Sequence, residues 1–176
     1  MNAKNISRKI ASDLLGTKLL TDELAALLHQ QIANEMYASY FYLAAAAWLK
    51  NQGFDGFATF LKKHGIEERV HADKVYDYLC DTGTDIAFKP VPAPPTYFKS
   101  VLDVCEQALQ HEVGVTADWK IIGDYAVAEN NLASVDLAQF FMKEQVEEED
   151  MFTTLLQKVK MADTTALLML DEQYGD

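Results

Sequence analysis

Apolar residues recur every three or four positions along four long stretches of the chain, and strand-like alternation of apolar and polar residues is nearly absent. This period predicts amphipathic helices that each bury one face, and therefore an all-α protein. The four helices are predicted from about Thr21 to the break at 51–53, from about Asp55 to Thr82, from about Ser100 to 130–131, and from there to about Lys160. A last short helix is predicted from Asp163 through Asp171.

A proline-rich segment separates the second predicted helix from the third. Prolines at 90, 92, 94 and 95 exclude a helix there, because each fixes φ and disfavours helical conformation in the residue before it. The other connections are tight, so helices one and two are predicted to form one hairpin and helices three and four another. The predicted fold is a four-helix bundle with one long crossover and a short C-terminal fifth helix.

Each long helix carries a carboxylate on its apolar face. These inward residues are Glu35 in the first helix, Glu68 in the second, Glu112 in the third, and Glu144 and Glu148 in the fourth. His71 follows Glu68 by three positions and therefore shares its face. The sequence thus predicts acidic side chains directed into the bundle.

The hairpin turns predict which of these carboxylates meet. In an antiparallel pair, the numbers of facing residues add to about twice the number at the turn. A first turn near 52–53 places Glu35 opposite position 70, between Glu68 and His71, and a second turn near 130 places Glu112 opposite Glu148. One cluster of carboxylates near the middle of the bundle is therefore predicted.

Burying one ionised carboxylate costs several kcal/mol, and no Lys or Arg falls on these faces at the same level. A bound cation would neutralise the cluster. Oxygen-rich ligation with one imidazole suits iron or manganese, and two ions that share a bridging carboxylate fit the number of ligands. The alternative is that each glutamate lies at the edge of its apolar stripe and reaches solvent.

Composition narrows the classes of function further. The chain has 176 residues, which fits one domain, and 15 Lys and Arg against 27 Asp and Glu give a net charge of −12. This charge disfavours nucleic acid and anionic membranes as partners and favours cations. No apolar run reaches the roughly 18 residues that a membrane span needs, and Cys80 and Cys105 fit no metal-binding pattern.

Four segments together resemble the ferritins, specifically the non-haem bacterial type. They are NEMYASYFY at 34–42, EERVH at 67–71, HE at 111–112 and EQVEEE at 144–149, and the resemblance covers about Thr21 to Tyr174. It implies iron storage, with a ferroxidase activity that oxidises Fe(II) by oxygen or hydrogen peroxide. It also implies a hollow shell of 24 identical subunits in which ferric oxide is deposited.

The resemblance assigns roles to the residues of the cluster. It implies a di-iron centre in which one iron is held by Glu35 and His71, Glu68 bridges, the second iron is held by Glu112 and Glu148, and Gln145 lies beside them. A third iron site is implied at Glu67, Glu144 and Glu147, for which the alternative is a solvated acidic face. Tyr42 matches a tyrosine that packs against the centre and can donate an electron, and simple core packing is the alternative.

The sequence departs from related classes at informative positions. Di-iron oxidases and bacterioferritins carry a second E-x-x-H motif, but Val115 and Met151 occupy the corresponding histidine positions. Arg69 replaces the methionine that binds haem in bacterioferritins, so haem is not expected. Phe140 stands where bacterial ferritins often have tryptophan. The rival interpretations are a di-iron oxidase or peroxidase without storage and a catalytically inactive structural subunit.

Residues 1–20 form an extension before the domain at 21–176. Ile6, Ile10 and Leu14 recur at helical spacing there and predict a short helix. No continuous secretory signal is present, so the expected location is the cytoplasm, with an organelle as the alternative if a transit peptide has been removed. His29 and His64 are predicted to lie at the surface, with His111 directed away from the Glu112 side.

Overall fold

The computed structural model describes residues 18–175, and this part of the chain contains five helices and no strand. They are α1 (Asp22–Asn51), α2 (Asp55–Thr82), α3 (Val101–Ala128), α4 (Leu132–Met161) and α5 (Thr164–Tyr174). The predicted bundle with its short fifth helix is confirmed. The last helix continues to Tyr174 rather than ending at Asp171. The helix predicted around Ile6–Leu14 lies outside the described residues.

Local side-chain chemistry explains where the helices begin and end. Thr21, Ser100, Asn131 and Asp163 each accept a hydrogen bond from a backbone N–H in the first turn of the helix that follows. After α2, Gly83 has a left-handed backbone (φ 77°), a conformation that glycine adopts without the Cβ penalty.

The N-terminus of α2 is capped by a residue from the far end of the chain. Phe54 precedes α2 and supplies no side-chain cap, but the backbone N–H of Phe57 donates to Oδ1 of Asp171 at 2.7 Å. Gly56 permits this contact, since a Cβ there would lie 1.7 Å from the carbonyl oxygen of Asp171. The backbone of α5 therefore approaches α2 closely and closes this end of the bundle.

Two apolar clusters fill the bundle on either side of its middle. The lower cluster, next to α5, is built around Tyr42, Phe57, Phe98, Phe152 and Leu155. The upper cluster, next to the turn between α3 and α4, is built around Leu28, Val75, Leu79, Trp119 and Phe141. The two clusters leave a level between them that polar side chains occupy.

The buried face of α4 differs from the predicted one. Glu144 was expected on the inward face, but it is only partly buried, and Gln145 and Phe152 are buried instead. Spacings of four and three residues from Phe141 to Gln145, Glu148 and Phe152 keep these positions on one face. The side chain of Glu144 is 38% exposed as a result.

The crossover between α2 and α3 runs over the outside of the bundle from residue 84 to 100. Phe98 holds its end in place: the side chain is 0% exposed, and its ring centroid lies 6.0 Å from that of Phe41 and 5.7 Å from that of Trp48. In residues 18–175 no helix combines the length and the apolar character that crossing a bilayer requires.

Candidate metal centre

The four long helices each contribute a carboxylate to the level between the two apolar clusters. Glu35 from α1 and Glu112 from α3 are both 1% exposed, and Glu68 from α2 is 4% exposed. Glu148 from α4 is partly buried, with 13% of its side chain exposed. The structure therefore places charged groups where the sequence pattern predicted them, in the middle of an otherwise apolar interior.

Glu35, Glu68 and His71 form one group of potential metal ligands. One ligand atom from each lies within 4.8 Å of the other two, and all three residues are buried. Nδ1 of His71 lies 3.2 Å from Oε2 of Glu68, and Nε2 lies 3.8 Å from Oε2 of Glu144. The α1–α2 hairpin has the predicted register, because Glu35 faces the helical turn of α2 that carries Glu68 and His71.

Glu112 is held from two sides. Nε2 of Gln145 donates to Oε2 of Glu112 at 3.0 Å, and the hydroxyl of Tyr42 donates to Oε1. The ring of Tyr42 is stacked on Phe152, with centroids 5.5 Å apart and an interplanar angle of 2°. Tyr42 and Gln145 thus lie beside the carboxylates, as the sequence resemblance implied, and both hydrogen-bond to the carboxylate of Glu112.

A second group of potential ligands joins His64, Glu67 and Glu148. Nδ1 of His64 lies 3.2 Å from Oε2 of Glu67 and 3.6 Å from Oε2 of Glu148. The prediction that His64 lies at the surface is wrong, since the residue is 7% exposed. Its ring packs against Phe60, with centroids 4.5 Å apart, and this contact holds it between α2 and α4.

The three residues assigned to a third iron site do not form one group. Glu67 joins His64 and Glu148, whereas Glu144 approaches His71. Glu147 is exposed and belongs to neither of the ligand groups found in residues 18–175. The side chain of α4 that approaches Glu67 is therefore Glu148.

The carboxylates of this level have no Lys or Arg counter-ion from the described part of the chain. Within residues 18–175, no Lys or Arg makes an ion pair with Glu35, Glu68, Glu112 or Glu148. Oε2 of Glu35 and Oε2 of Glu148 are buried without any hydrogen-bond partner in the described chain. Burying an acceptor without a donor costs free energy, so these oxygens are suited to bind a cation.

The pKa values show the same cost of burying these carboxylates without a counter-ion. Burial, followed by repulsion from neighbouring carboxylates, raises the pKa of Glu35 and of Glu68 well above the usual range. Burial and the adjacent Glu112 raise the pKa of Glu148 to about 8. Burial also lowers the pKa of His64 to about 4, so its ring is neutral and available as a ligand at neutral pH. Bound cations would reverse the cost of ionising these carboxylates.

Two residues that contact the centre were not recognised from the sequence. Gln31 donates through Nε2 to Oε1 of Glu35 at 2.8 Å, and Trp119 donates through Nε1 to the same oxygen at 3.1 Å. Gln31 could have been found, because it lies four residues before Glu35 on the same helix face. Trp119 comes from α3, and its approach to Glu35 depends on the packing of the two hairpins.

The remaining histidines lie outside both ligand groups. The prediction that His29 is a surface residue is wrong: it is 8% exposed and lines a cavity of about 360 Å³ at the start of α1. The ring of His111 packs among Tyr37, Phe41 and Tyr42, with centroids 5.8 to 6.2 Å apart. Neither histidine joins a ligand group within the described chain.

A four-helix bundle with one long crossover and inward carboxylates on facing helices is typical of ferritin-like proteins, and comparison with known proteins agrees. The ferritin-like domain family matches residues 25–162. The chain is 38% identical over 136 residues to the bacterial non-heme ferritin of Staphylococcus saprophyticus, which covers 77% of this chain and 81% of that protein. It is 31% identical over 159 residues to the bacterial non-heme ferritin of Staphylococcus aureus, with 89% and 96% covered.

Solved structures give the same result. The open pore ferritin from the hyperthermophilic archaeon Archaeoglobus fulgidus superimposes with a TM-score of 0.87 at 29% identity, over 90% of this chain and 98% of that one. The chain therefore belongs to the ferritin family and is of the bacterial non-haem type.

Proposed function

We propose that this chain stores iron, oxidising Fe²⁺ at a di-iron centre within each subunit and depositing ferric oxide inside a hollow homo-oligomeric shell. The observation that carries the proposal is the carboxylate layer, which Glu35, Glu68, Glu112 and Glu148 form between the two apolar clusters. One buried oxygen of Glu35 and one of Glu148 have no hydrogen-bond partner in the described chain. The ferritin relatives support iron as the cargo. We propose that the shell has 24 identical subunits, as the resemblance of the sequence to ferritins implies.

In this proposal the ligands divide between two iron ions. Glu35 and His71 hold the first, Glu68 bridges, and Glu112 with Glu148 holds the second. Carboxylate oxygens are hard ligands that bind Fe³⁺ more strongly than Fe²⁺, so the site favours loss of an electron to oxygen or hydrogen peroxide. The protons held by these carboxyls in the metal-free chain leave when iron binds.

Tyr42 and Gln145 act on the second iron through Glu112. Their hydrogen bonds occupy both oxygens of that carboxylate and fix its orientation before iron arrives. Burial and the neighbouring Glu112 raise the pKa of Tyr42 well above its usual range, so the phenol keeps its proton as a donor. We propose that Tyr42 also supplies an electron during oxidation.

A third iron position is proposed at His64, Glu67 and Glu148. The resemblance pointed to Glu67 with Glu144 and Glu147, but the geometry favours His64 because its Nδ1 lies within 3.6 Å of carboxylate oxygens on both Glu67 and Glu148. Glu148 belongs to this group and, in this proposal, also holds the second iron, so it can pass iron from the di-iron centre toward the exposed side of Glu67.

The experiment is rapid mixing of metal-free protein, loaded anaerobically with increasing Fe²⁺, against oxygenated buffer. We expect a fast oxidation phase that saturates at about two or three irons per chain, followed by slower uptake of many more. In Glu68→Gln the fast phase should slow by about 100-fold or more, because the bridging ligand is lost. Glu172→Gln, on α5 and remote from the ligand groups, is the matched control and should keep it.

The outcomes separate the rival functions. A fast phase without later uptake would indicate a di-iron oxidase or peroxidase without storage. A normal fast phase in Glu68→Gln, or none in the unaltered protein, would contradict oxidation at this centre and leave a structural subunit.

A further inference from the structure

The two oxygens of Glu35 have different surroundings. Oε1 accepts hydrogen bonds from Nε2 of Gln31 at 2.8 Å and from Nε1 of Trp119 at 3.1 Å. Oε2 is buried and has no hydrogen-bond partner in the described chain. Glu35 is therefore anchored through one oxygen and unpartnered at the other, and its carboxylate lies within 4.8 Å of ligand atoms of Glu68 and His71.

The amide of Gln31 is itself held by a second amide. Nδ2 of Asn34 donates to Oε1 of Gln31 at 3.3 Å and to Oδ2 of Asp118, on α3, at 2.9 Å. Oδ1 of Asn34 accepts from Nε2 of Gln30 at 2.8 Å. All polar atoms of the Asn34 amide are thus hydrogen-bonded. A hydrogen-bond network therefore connects Asp118 through Asn34 and Gln31 to Glu35.

The carboxylate of Asp118, at the outer end of this network, determines which way the amides of Asn34 and Gln31 are oriented. Asp118 can only accept when ionised, so it requires the NH₂ group of Asn34 on its side. The second hydrogen of that NH₂ group then meets the oxygen of Gln31, which turns the NH₂ group of Gln31 toward Glu35. A reversed Gln31 amide would place its oxygen against Oε1 of Glu35, where two acceptors repel.

The outer end of the network, at Asn34 and Asp118, is accessible from a cavity. Asn34 and Asp118 line a cavity of about 320 Å³ between α1, α3 and the crossover, together with Tyr37, Gln110 and His111. Gln31 lies deeper and is 1% exposed. Polar groups outside the carboxylate layer therefore determine how one of its ligands is oriented.

We propose that Gln31, oriented by Asn34 and Asp118, is a positioning residue that holds Glu35 by Oε1 and so presents Oε2 to the ion in the first metal position. The inference rests on the proposed function, because it assigns Glu35 as a ligand. Outer partners that fix a ligand before binding commonly change metal affinity by 10- to 100-fold when they are removed.

Cobalt(II) serves as the probe, since its visible spectrum reports coordination and needs no oxidation. Metal-free protein is titrated with Co²⁺, and Glu35→Gln identifies the ion that depends on Glu35. We expect Gln31→Leu to weaken binding of that ion by about 10-fold and to change its absorption spectrum. Asn34→Ala should give a smaller loss, and Gln110→Ala, which lines the same cavity but makes no hydrogen bond to this chain of amides, should give none.

The double variant tests whether Asn34 acts through Gln31. If it does, adding Asn34→Ala to Gln31→Leu produces no further loss of Co²⁺ affinity, whereas independent effects would add. Additive losses, or an unchanged affinity and spectrum in Gln31→Leu, would overturn the proposal. If Gln31→Leu does not fold, as judged by circular dichroism, the same spectrum and affinity measured in Asn34→Ala decide the question.

A failure of the proposed function gives a different result. If Glu35→Gln binds Co²⁺ as the unaltered protein does, Glu35 is no ligand and the positioning proposal fails with it. If Glu35→Gln loses an ion and Gln31→Leu does not, only the positioning role is overturned.

Discussion

The carboxylate layer and the apolar clusters on either side of it are equally buried but differ in what they require. In the lower and upper clusters, residues such as Phe98, Phe141 and Phe152 are 0% exposed and are stabilised by burial alone. In the layer, Glu35 and Glu112 are as deeply buried, and no Lys or Arg of the described chain pairs with them.

This difference separates the parts of the molecule that make the fold from the part that makes the site. The clusters favour the folded state whether or not a cation is present. The layer opposes folding in the metal-free chain and favours it once ions bind, because ions that bind only the folded state stabilise it by mass action. Substitutions in the layer should therefore change both the free energy of unfolding and metal binding. Substitutions in the clusters should change the free energy of unfolding alone.

The largest expected effect comes from breaking the lower cluster. Phe98→Ala removes a fully buried ring that holds the end of the crossover, and we expect a loss of about 3–5 kcal/mol in the free energy of unfolding. The number of fast-oxidising irons per folded chain should not change. Urea unfolding at fixed protein concentration and rapid-mixing oxidation measure the two quantities.

The neighbouring aromatic residue provides the control for that variant. Tyr97 lies in the same crossover but is 73% exposed in the chain, so Tyr97→Ala should change the free energy of unfolding by less than about 0.5 kcal/mol. An equal loss in both variants would show that the crossover, rather than burial of Phe98, stabilises the cluster.

The next effect concerns the layer, and it depends on pH. The pKa of Glu148 is about 8 in the folded chain against an ordinary value of 4.5. Between these values the unfolded chain has lost the proton and the folded chain keeps it, so raising the pH favours unfolding. Metal-free protein should lose about 2 kcal/mol of stability from Glu148 between about pH 6.5 and 8.

The histidines define the lower limit of this pH range. The pKa values of His29, His64 and His111 are lowered by burial from 6.5, so below pH 6.5 these residues are protonated more readily in the unfolded chain, which opposes the carboxylate effect. Unfolding midpoints with and without saturating Co²⁺ provide the measurement. The ion should abolish the decline, and a rise in metal-free stability from pH 6.5 to 8 would contradict an uncompensated layer.

The smallest effect is confined to one edge of the layer. His64→Gln removes the nitrogen ligand proposed for the third ion, and we expect binding of that ion to weaken by about 10-fold while the group of Glu35, Glu68 and His71 is unaffected. Equilibrium dialysis with Co²⁺ counts the ions. His29→Gln, which alters a buried histidine outside both ligand groups, should keep the full number, and an unchanged count in His64→Gln would exclude His64 as a ligand.

Much of the fold follows from periodicity and from residues that interrupt helices. The spacing of apolar residues and the prolines of the crossover predicted α1 to α5, because helix faces and helix ends depend on local sequence. The register of each hairpin followed from its turn. The contact between Asp171 and the start of α2 joins residues 114 positions apart, and no local pattern indicates it.

The site was less predictable, because helix spacing gives the face of a residue but not its neighbours on other helices. Glu35, Glu68, Glu112 and Glu148 were found because charged residues stand out in an apolar stripe, but the same pattern also placed Glu144 inward, whose side chain is 38% exposed. The burial of His64 was missed because it depends on the ring of Phe60 and on the approach of α4. The approach of Trp119 to Glu35 required the stacking of two hairpins, which the turns do not determine.

The close approach of α5 to α2 also limits which sequences this fold accepts. At position 56 any side chain larger than hydrogen would collide with the backbone of Asp171, so among the twenty amino acids glycine alone preserves the contact. At Gly114, on the exposed side of α3, a methyl group would meet nothing within 4 Å, and most residues could replace this glycine in the isolated chain. Mutational tolerance therefore differs sharply between two glycines of one bundle, and random substitution would detach the terminal helix far more readily at the first than at the second.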